Sequence, residues 1–170
     1  SNGTYLDGED IKLASDVGPG NCLIDLVAMR YFGMPYDEDG KIAASGQIDY
    51  QLLHSLLDKI RTKGYPRADD KSYYYNLDEL KSDKPENLLA TLCELTALCI
   101  SDFCHSFDTS GEILLHGGGI KNNFLMERLD KNIGSSFRLT DHLIPSKFVE
   151  SAAFAYLAYL KKGLLVEPRR

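Results

Sequence analysis

Apolar and polar residues alternate over Thr4-Tyr5-Leu6 and again from Ile11 to Ser15, with Asp7-Gly8-Glu9-Asp10 between them. Period-two patterning on both sides of an Asp-Gly turn predicts a β-hairpin over residues 4–16. From Cys22 the period changes. Leu23, Ile24, Val27, Ala28 and Tyr31 fall on one helical face, and Gly33 with Pro35 beyond it ends the run, which predicts a helix over 22–31. Ile48, Leu52, Leu53, Leu56, Leu57 and Ile60 predict a second amphipathic helix that stops at Lys63-Gly64. The longest stripe follows Asp83-Lys84-Pro85: Leu88, Leu92, Leu95, Cys99 and Phe103, widened by Leu89, Thr96 and Ile100. It predicts a helix to about Phe107, buried on much of its circumference.

The remaining patterns are shorter. Glu112 to His116 reads as a buried strand, followed by Gly117-Gly118-Gly119 and then by a helix carrying Phe124, Leu125, Met126, Leu129 and Ile133, with Asn122 or Asn123 as its cap. Ser136 to Thr140 reads as another strand. The last helix, Lys147 to Leu160, is rich in Ala, so close packing against another helix is expected. Two stretches carry no period: the acidic loop 34–46, and the tyrosine-rich residues 65–80, read as a solvated surface excursion in preference to a loop touching substrate.

Composition narrows this picture. The 170 residues suit a single domain or one lobe of a larger protein. A net charge of −6 and the lack of a basic stripe argue against nucleic acid or an anionic membrane as partner, and no apolar run approaches membrane-spanning length. Cys22, Cys93, Cys99 and Cys104 lack Cys-x-x-Cys spacing, so buried reduced thiols are expected in preference to zinc or disulfides. Asp37 and Asp39 before Gly40 hint at calcium, but the remaining ligand series of an EF-hand loop is absent, and no metal site is expected.

Two glycine constellations carry the candidate chemistry. In the first, Asp16 stands at the end of the hairpin, on the turn Val17-Gly18-Pro19-Gly20, with Asn21 as the expected N-cap of the next helix. A carboxylate beside a helix N-terminus suits a polar substrate or anion, and the same pattern reads equally as a capped tight turn. Asp25 and Glu150, in the first turns of their helices, are placed to complement the helix dipole. The second constellation is the glycine triplet 117–119, where a ligand could lie on backbone with no Cβ in its way. It lacks the Gly-Lys-Ser/Thr of a P-loop and the Gly-x-Gly-x-x-Gly of a dinucleotide turn.

Taken in order, Asp16-Val17-Gly18-Pro19-Gly20-Asn21, Ala44-Ser45-Gly46, Ala90 to Ala97, His116-Gly117-Gly118-Gly119-Ile120-Lys121-Asn122 and Glu150 to Ala158 form a series. That series resembles the C-terminal half of the 1,6-anhydro-N-acetylmuramic acid kinase family over roughly residues 10–163. The resemblance implies an α/β fold: a ribonuclease-H-like (actin-like ATPase) lobe, a mixed sheet flanked by helices. Residues 1–170 would be the C-terminal lobe of a two-lobe sugar kinase whose N-terminal lobe is absent. It further implies ATP, with Mg2+ held mainly through the nucleotide phosphates, an amino-sugar substrate, and work in the bacterial cytoplasm. Asp16 matches the family's general base; Gly18, Asn21 and Glu150 match its substrate side; Gly117, Gly118, Gly119 and Asn122 match the stretch along the nucleotide.

The departures shape the expectations equally. The phosphate loop Gly-Thr-Ser-x-x-Asp-Gly of the other lobe is missing, Val17 replaces a threonine, and Pro66 to Tyr73 replaces a Pro-Lys-Ser-Thr-Gly-Arg-Glu segment. The chain alone is therefore expected to be inactive. The alternatives are a non-catalytic or split-partner module of the same fold, or a kinase for another sugar. An apolar face left uncovered by the absent lobe would predict a homodimer or aggregation.

Overall fold

The computed structural model describes residues 1–61, 64–75, 80–107, 111–134, 136–140 and 144–160. The hairpin forms as its alternation predicts: β1 (Asn2–Asp7) pairs antiparallel with β2 (Asp10–Asp16), Tyr5 opposite Leu13 and Asn2 opposite Asp16. It lies over the end of the long helix, where Tyr5 stacks on Phe107 with ring centres 4.3 Å apart. Its second strand delivers Asp16 to the start of α1 (Asn21–Val27), which continues as a π turn through Phe32 and ends on left-handed Gly33.

Next come α2 (Lys41–Ser45), α3 (Tyr50–Arg61), α4 (Lys71–Tyr75) and α5 (Pro85–His105). The acidic loop has a structural purpose: buried Asp37 accepts the amides of Ile42 and Ala43, both at 2.9 Å, at the entry to α2. β3 (Ile113–Leu115) and β4 (Phe137–Leu139) pair in parallel, with α6 (Asn123–Ile133) between them and α7 (Val149–Tyr159) last.

The architecture is mixed α/β and predominantly helical. Among the described residues the strands make two separate two-stranded sheets in place of one mixed sheet. α5 is the axis, and α1, α2, α3 and α6 all pack on it. Its apolar residues lie on so many sides that the helix is long and apolar enough to cross a membrane, contrary to expectation, but most of that stretch is buried as core. One ion pair sits inside the α5–α6 interface. Arg128 Nε donates to Glu94 Oε2 at 2.5 Å, and Asn132 donates to the other carboxylate oxygen at 3.2 Å.

Three other expectations need correction. β3 is only half-buried, because its partner is a single short strand, and Leu114 is exposed. Among the described residues α7 buries none of its side chains and leaves Phe154 73% and Tyr159 81% exposed, so the expected close packing of its small residues is not seen there. Residues 65–75 are only partly a solvated excursion: Pro66, Ala68 and Asp70 to Ser72 are exposed, but Tyr74 is buried in α4, and the side chains of Arg67 and Asp69 are 6% and 3% exposed. Residues 76–79, the rest of the tyrosine-rich stretch, lie outside the described residues.

Two predictions follow from this core. Removing one partner of the buried pair, as in Glu94→Ala, strands a charge, and should cost about 3–5 kcal/mol in a denaturant titration. Burial pushes the Cys93 and Cys99 thiols up to about 12 from an ordinary 9.0. Below pH 9 both thiols are protonated in the folded and unfolded chain alike. Between pH 9 and about 12 only the unfolded chain releases those protons, so stability should fall, by at most about 1.4 kcal/mol per pH unit for each thiol. Urea midpoints of wild type and Cys93→Ala at pH 8 and pH 10.5 measure it, and the wild type should lose more.

Candidate active site

The turn after Asp16 takes its shape from α5. Gly20 adopts φ 57°, ψ −141°, a conformation only glycine enters readily, and its carbonyl accepts the buried Thr96 hydroxyl at 3.0 Å. Gly18 presses on the helix three residues further along: a Cβ there would stand 2.7 Å from the Cβ of Cys99. Gly18, assigned to the substrate side by resemblance, thus has a visible packing requirement. Asn21 is not the N-cap. It is the first residue of α1, the cap position is Gly20, and no side chain caps the helix. The positive φ at Gly20 turns the chain one residue earlier than the Asn pattern suggests.

The Asn21 side chain instead reaches the second glycine turn. A Cβ built on Gly119 would lie 3.3 Å from Asn21 Oδ1, so the two constellations, a hundred residues apart in sequence, meet in space. The second turn is also set by its surroundings. Gly117 has φ 98°, Gly118 to Lys121 form a 3-10 turn, and buried Asn122 caps α6 by accepting the Leu125 amide at 2.9 Å. The Asn122 amide nitrogen donates to Cys93 Sγ of α5 at 3.8 Å. Asn122 therefore anchors the turn. Gly117 and Gly118 are open among the described residues, since a Cβ on either would meet none of their atoms within 4 Å.

Asp16 is half-buried and lines a cavity of about 140 Å³ with Cys22, Asp69, Lys71 and Tyr74 among its walls. Its Oδ2 accepts the Asp69 amide at 2.7 Å, and its own amide donates to the Arg67 carbonyl at 2.9 Å. Asp69 in turn accepts the Tyr74 hydroxyl at 2.5 Å and pairs with Arg67 Nε at 3.1 Å. Burial pushes the Cys22 thiol and the Asp25 carboxyl above their ordinary values, the nearby Lys71 ammonium partly offsetting both; burial, with the bond to Asp69, pushes the Tyr74 hydroxyl up as well. Glu150, exposed in the first turn of α7, is not among the residues lining this cavity. Sequence reasoning missed Arg67, Asp69 and Tyr74, because no periodicity marks a segment held by polar contacts to a distant strand.

An acidic residue at a strand end, a small cavity beside it and a second, open glycine turn brought against the first make a candidate site built of turns on a helical floor. Comparison with known proteins makes this specific. Residues 1–165 match the family model described as anhydro-N-acetylmuramic acid kinase, and the chain belongs to that family. Relatives named anhydro-N-acetylmuramic acid kinase include one from Coxiella burnetii (strain Dugway 5J108-111), 34% identical over 93% of this chain and 45% of the relative. Another from Aliivibrio fischeri (strain ATCC 700601 / ES114) is 35% identical over 94% of this chain and 46% of the relative. A third, from Pseudomonas savastanoi pv. phaseolicola (strain 1448A / Race 6), is 36% identical over the same shares. The chain thus spans a little under half the length of these relatives.

The two kinds of glycine contact predict opposite outcomes. Gly18→Ala drives a methyl into α5 and should cost about 1–3 kcal/mol. Gly118→Ala meets nothing and should stay within about 0.5 kcal/mol of wild type. Urea unfolding of both variants checks the contrast.

Proposed function

We propose that this chain is the C-terminal, ribonuclease-H-like lobe of a two-lobe kinase that opens 1,6-anhydro-N-acetylmuramic acid with water and phosphorylates O6. The product, N-acetylmuramic acid 6-phosphate, would enter peptidoglycan recycling in the bacterial cytoplasm. The observation that supports this reading best is the meeting of Asn21 with Gly119, which brings the turn after Asp16 against the glycine triplet.

In this reading Asp16 is the general base. Water bonds to C1 of the sugar and gives its proton to the Asp16 carboxylate; the C1–O6 bond breaks, and O6 takes the γ-phosphoryl group as ADP leaves. A carboxylate held at a strand end by a backbone amide can keep a water within hydrogen-bond reach of C1. Gly18 and Asn21 form the substrate side of the turn, and Glu150 would face the sugar only once α7 is brought over the cavity. Gly117 and Gly118 would lie along the nucleotide: a Cβ on either meets no atom of the described residues within 4 Å, which leaves their backbone open to a ligand. ATP supplies the phosphoryl group, and its phosphates carry Mg2+. Among the described residues there is no cluster of three or more His, Cys, Asp or Glu residues able to hold a metal. Gly119 and Asn122 fix the turn's position against α1 and α6.

Phosphoryl transfer depends on positioning and charge neutralisation more than on covalent chemistry, so a lobe without the opposing phosphate loop should turn over negligibly. In the complete two-lobed protein, Asp16→Asn should lower kcat for ATP-dependent phosphorylation of the anhydro sugar by about 10²–10⁴-fold with the fold retained. Undiminished turnover would remove Asp16 from the role of base. A substrate panel in the same assay decides the sugar, and a preference for an unbridged hexose would redirect the reading.

A further inference from the structure

The 67–74 segment reaches Asp16 through a chain of contacts that nothing in its sequence pattern signals. Three hydrogen bonds interlock Ser15-Asp16 with Arg67-Asp69. The Arg67 amide donates to Ser15 Oγ at 2.9 Å, the Asp16 amide donates to the Arg67 carbonyl at 2.9 Å, and the Asp69 amide donates to Asp16 Oδ2 at 2.7 Å. Ser15 Oγ also donates to the Asp16 carbonyl at 2.8 Å, and Arg67 Nε donates to that same carbonyl at 3.1 Å. Arg67 Nη1 donates to the Ile60 carbonyl near the end of α3 at 2.9 Å, which ties the segment to a packed helix.

Behind the Asp69 amide its side chain is locked. The Oδ2 atom takes the Tyr74 hydroxyl at 2.5 Å and pairs with Arg67 Nε at 3.1 Å, and Tyr74 itself is 3% exposed. An aspartate held at its carboxylate by two buried donors has less freedom to rotate its main chain, which restrains the direction of the amide that holds Asp16. The contact to Asp16 is a charge-assisted hydrogen bond from a restrained donor.

We infer that Tyr74 and Asp69 are positioning residues for Asp16: the Tyr74–Asp69–Arg67 lock aims the Asp69 amide at one oxygen of the Asp16 carboxylate and so fixes the carboxylate against its cavity. The inference rests on the proposed role of Asp16, but the lock itself can be measured without catalysis. Displacing a reacting group by about 1 Å can cost on the order of a hundredfold in rate, so a loosened Asp16 should lower turnover and leave substrate affinity nearly unchanged.

The test has two arms. In the 170-residue chain, amide hydrogen exchange followed by NMR reads the Asp69 N–H. Tyr74→Phe keeps the buried ring and removes only the hydroxyl, and it should speed Asp69 exchange about tenfold or more while amides in the centre of α5 stay protected. In the complete two-lobed protein, Tyr74→Phe should lower kcat about ten- to hundredfold with KM within about twofold, and Asp69→Asn, which can still accept the Tyr74 hydroxyl, should lose less than Asp69→Ala. Unchanged Asp69 exchange in Tyr74→Phe would overturn the lock. Faster exchange with unchanged kcat, in a protein that Asp16→Asn inactivates, would overturn its positioning role. Full activity in Asp16→Asn would instead overturn the reading of Asp16 as base, leaving the exchange result to stand on its own.

Discussion

The burial of α5 is the constraint on which the rest depends. A 21-residue helix with apolar side chains on most of its circumference has to be covered, and α1, α2, α3 and α6 cover it. Because the helix is rigid, whatever is fastened to it shares one frame. Both glycine turns are fastened there: Thr96 holds the Gly20 carbonyl, Cys99 lies against Gly18, and Cys93 takes the Asn122 amide. These three α5 positions are spaced three apart, so they lie on adjoining parts of one side of the helix. The meeting of the two turns follows from that shared attachment.

A site made of turns carries a liability, since turns are the parts of a chain that move most readily. Here the liability is met by close backbone packing and by polar groups out of water. Gly18 leaves no room for a methyl, and Gly46 lies so close to the Glu86 carbonyl that it too could not carry one. Arg67 and Asp69 form a pair whose side chains are almost wholly removed from solvent, with the Tyr74 hydroxyl completing the carboxylate's hydrogen bonds. Such a pair adds little net stability against its desolvation cost, but it admits few alternative geometries. Its value lies in orientation.

Much of the fold was legible along the chain. The hairpin over residues 4–16, the stop at Gly33, the amphipathic α3, the long α5 and a cap at Asn122 or Asn123 all rest on interactions between residues close in sequence, and local pattern reports such interactions directly. Where reading failed, distant partners were the cause. Gly20, not Asn21, caps α1 because α5 dictates the turn. Arg67, Asp69 and Tyr74 are drawn inward because Ser15, Asp16 and Ile60 supply hydrogen-bond partners for their segment. The apolar pattern of α7 says that the helix seeks cover, and no pattern within it names the surface that would provide it.

The sequence by itself determined the order of the elements, the acidic residue at the strand end, both glycine turns and the family to which the chain belongs. It did so because strand alternation, helical stripes and glycine's freedom are properties of neighbouring residues. Only the tertiary structure decided that Asn21 touches the triplet's last glycine, that Asn122 serves as an anchor, and that Asp16 is held by an amide fifty-three residues away. Those outcomes depend on where α5 brings separate segments together, and packing of that kind leaves no period in the chain.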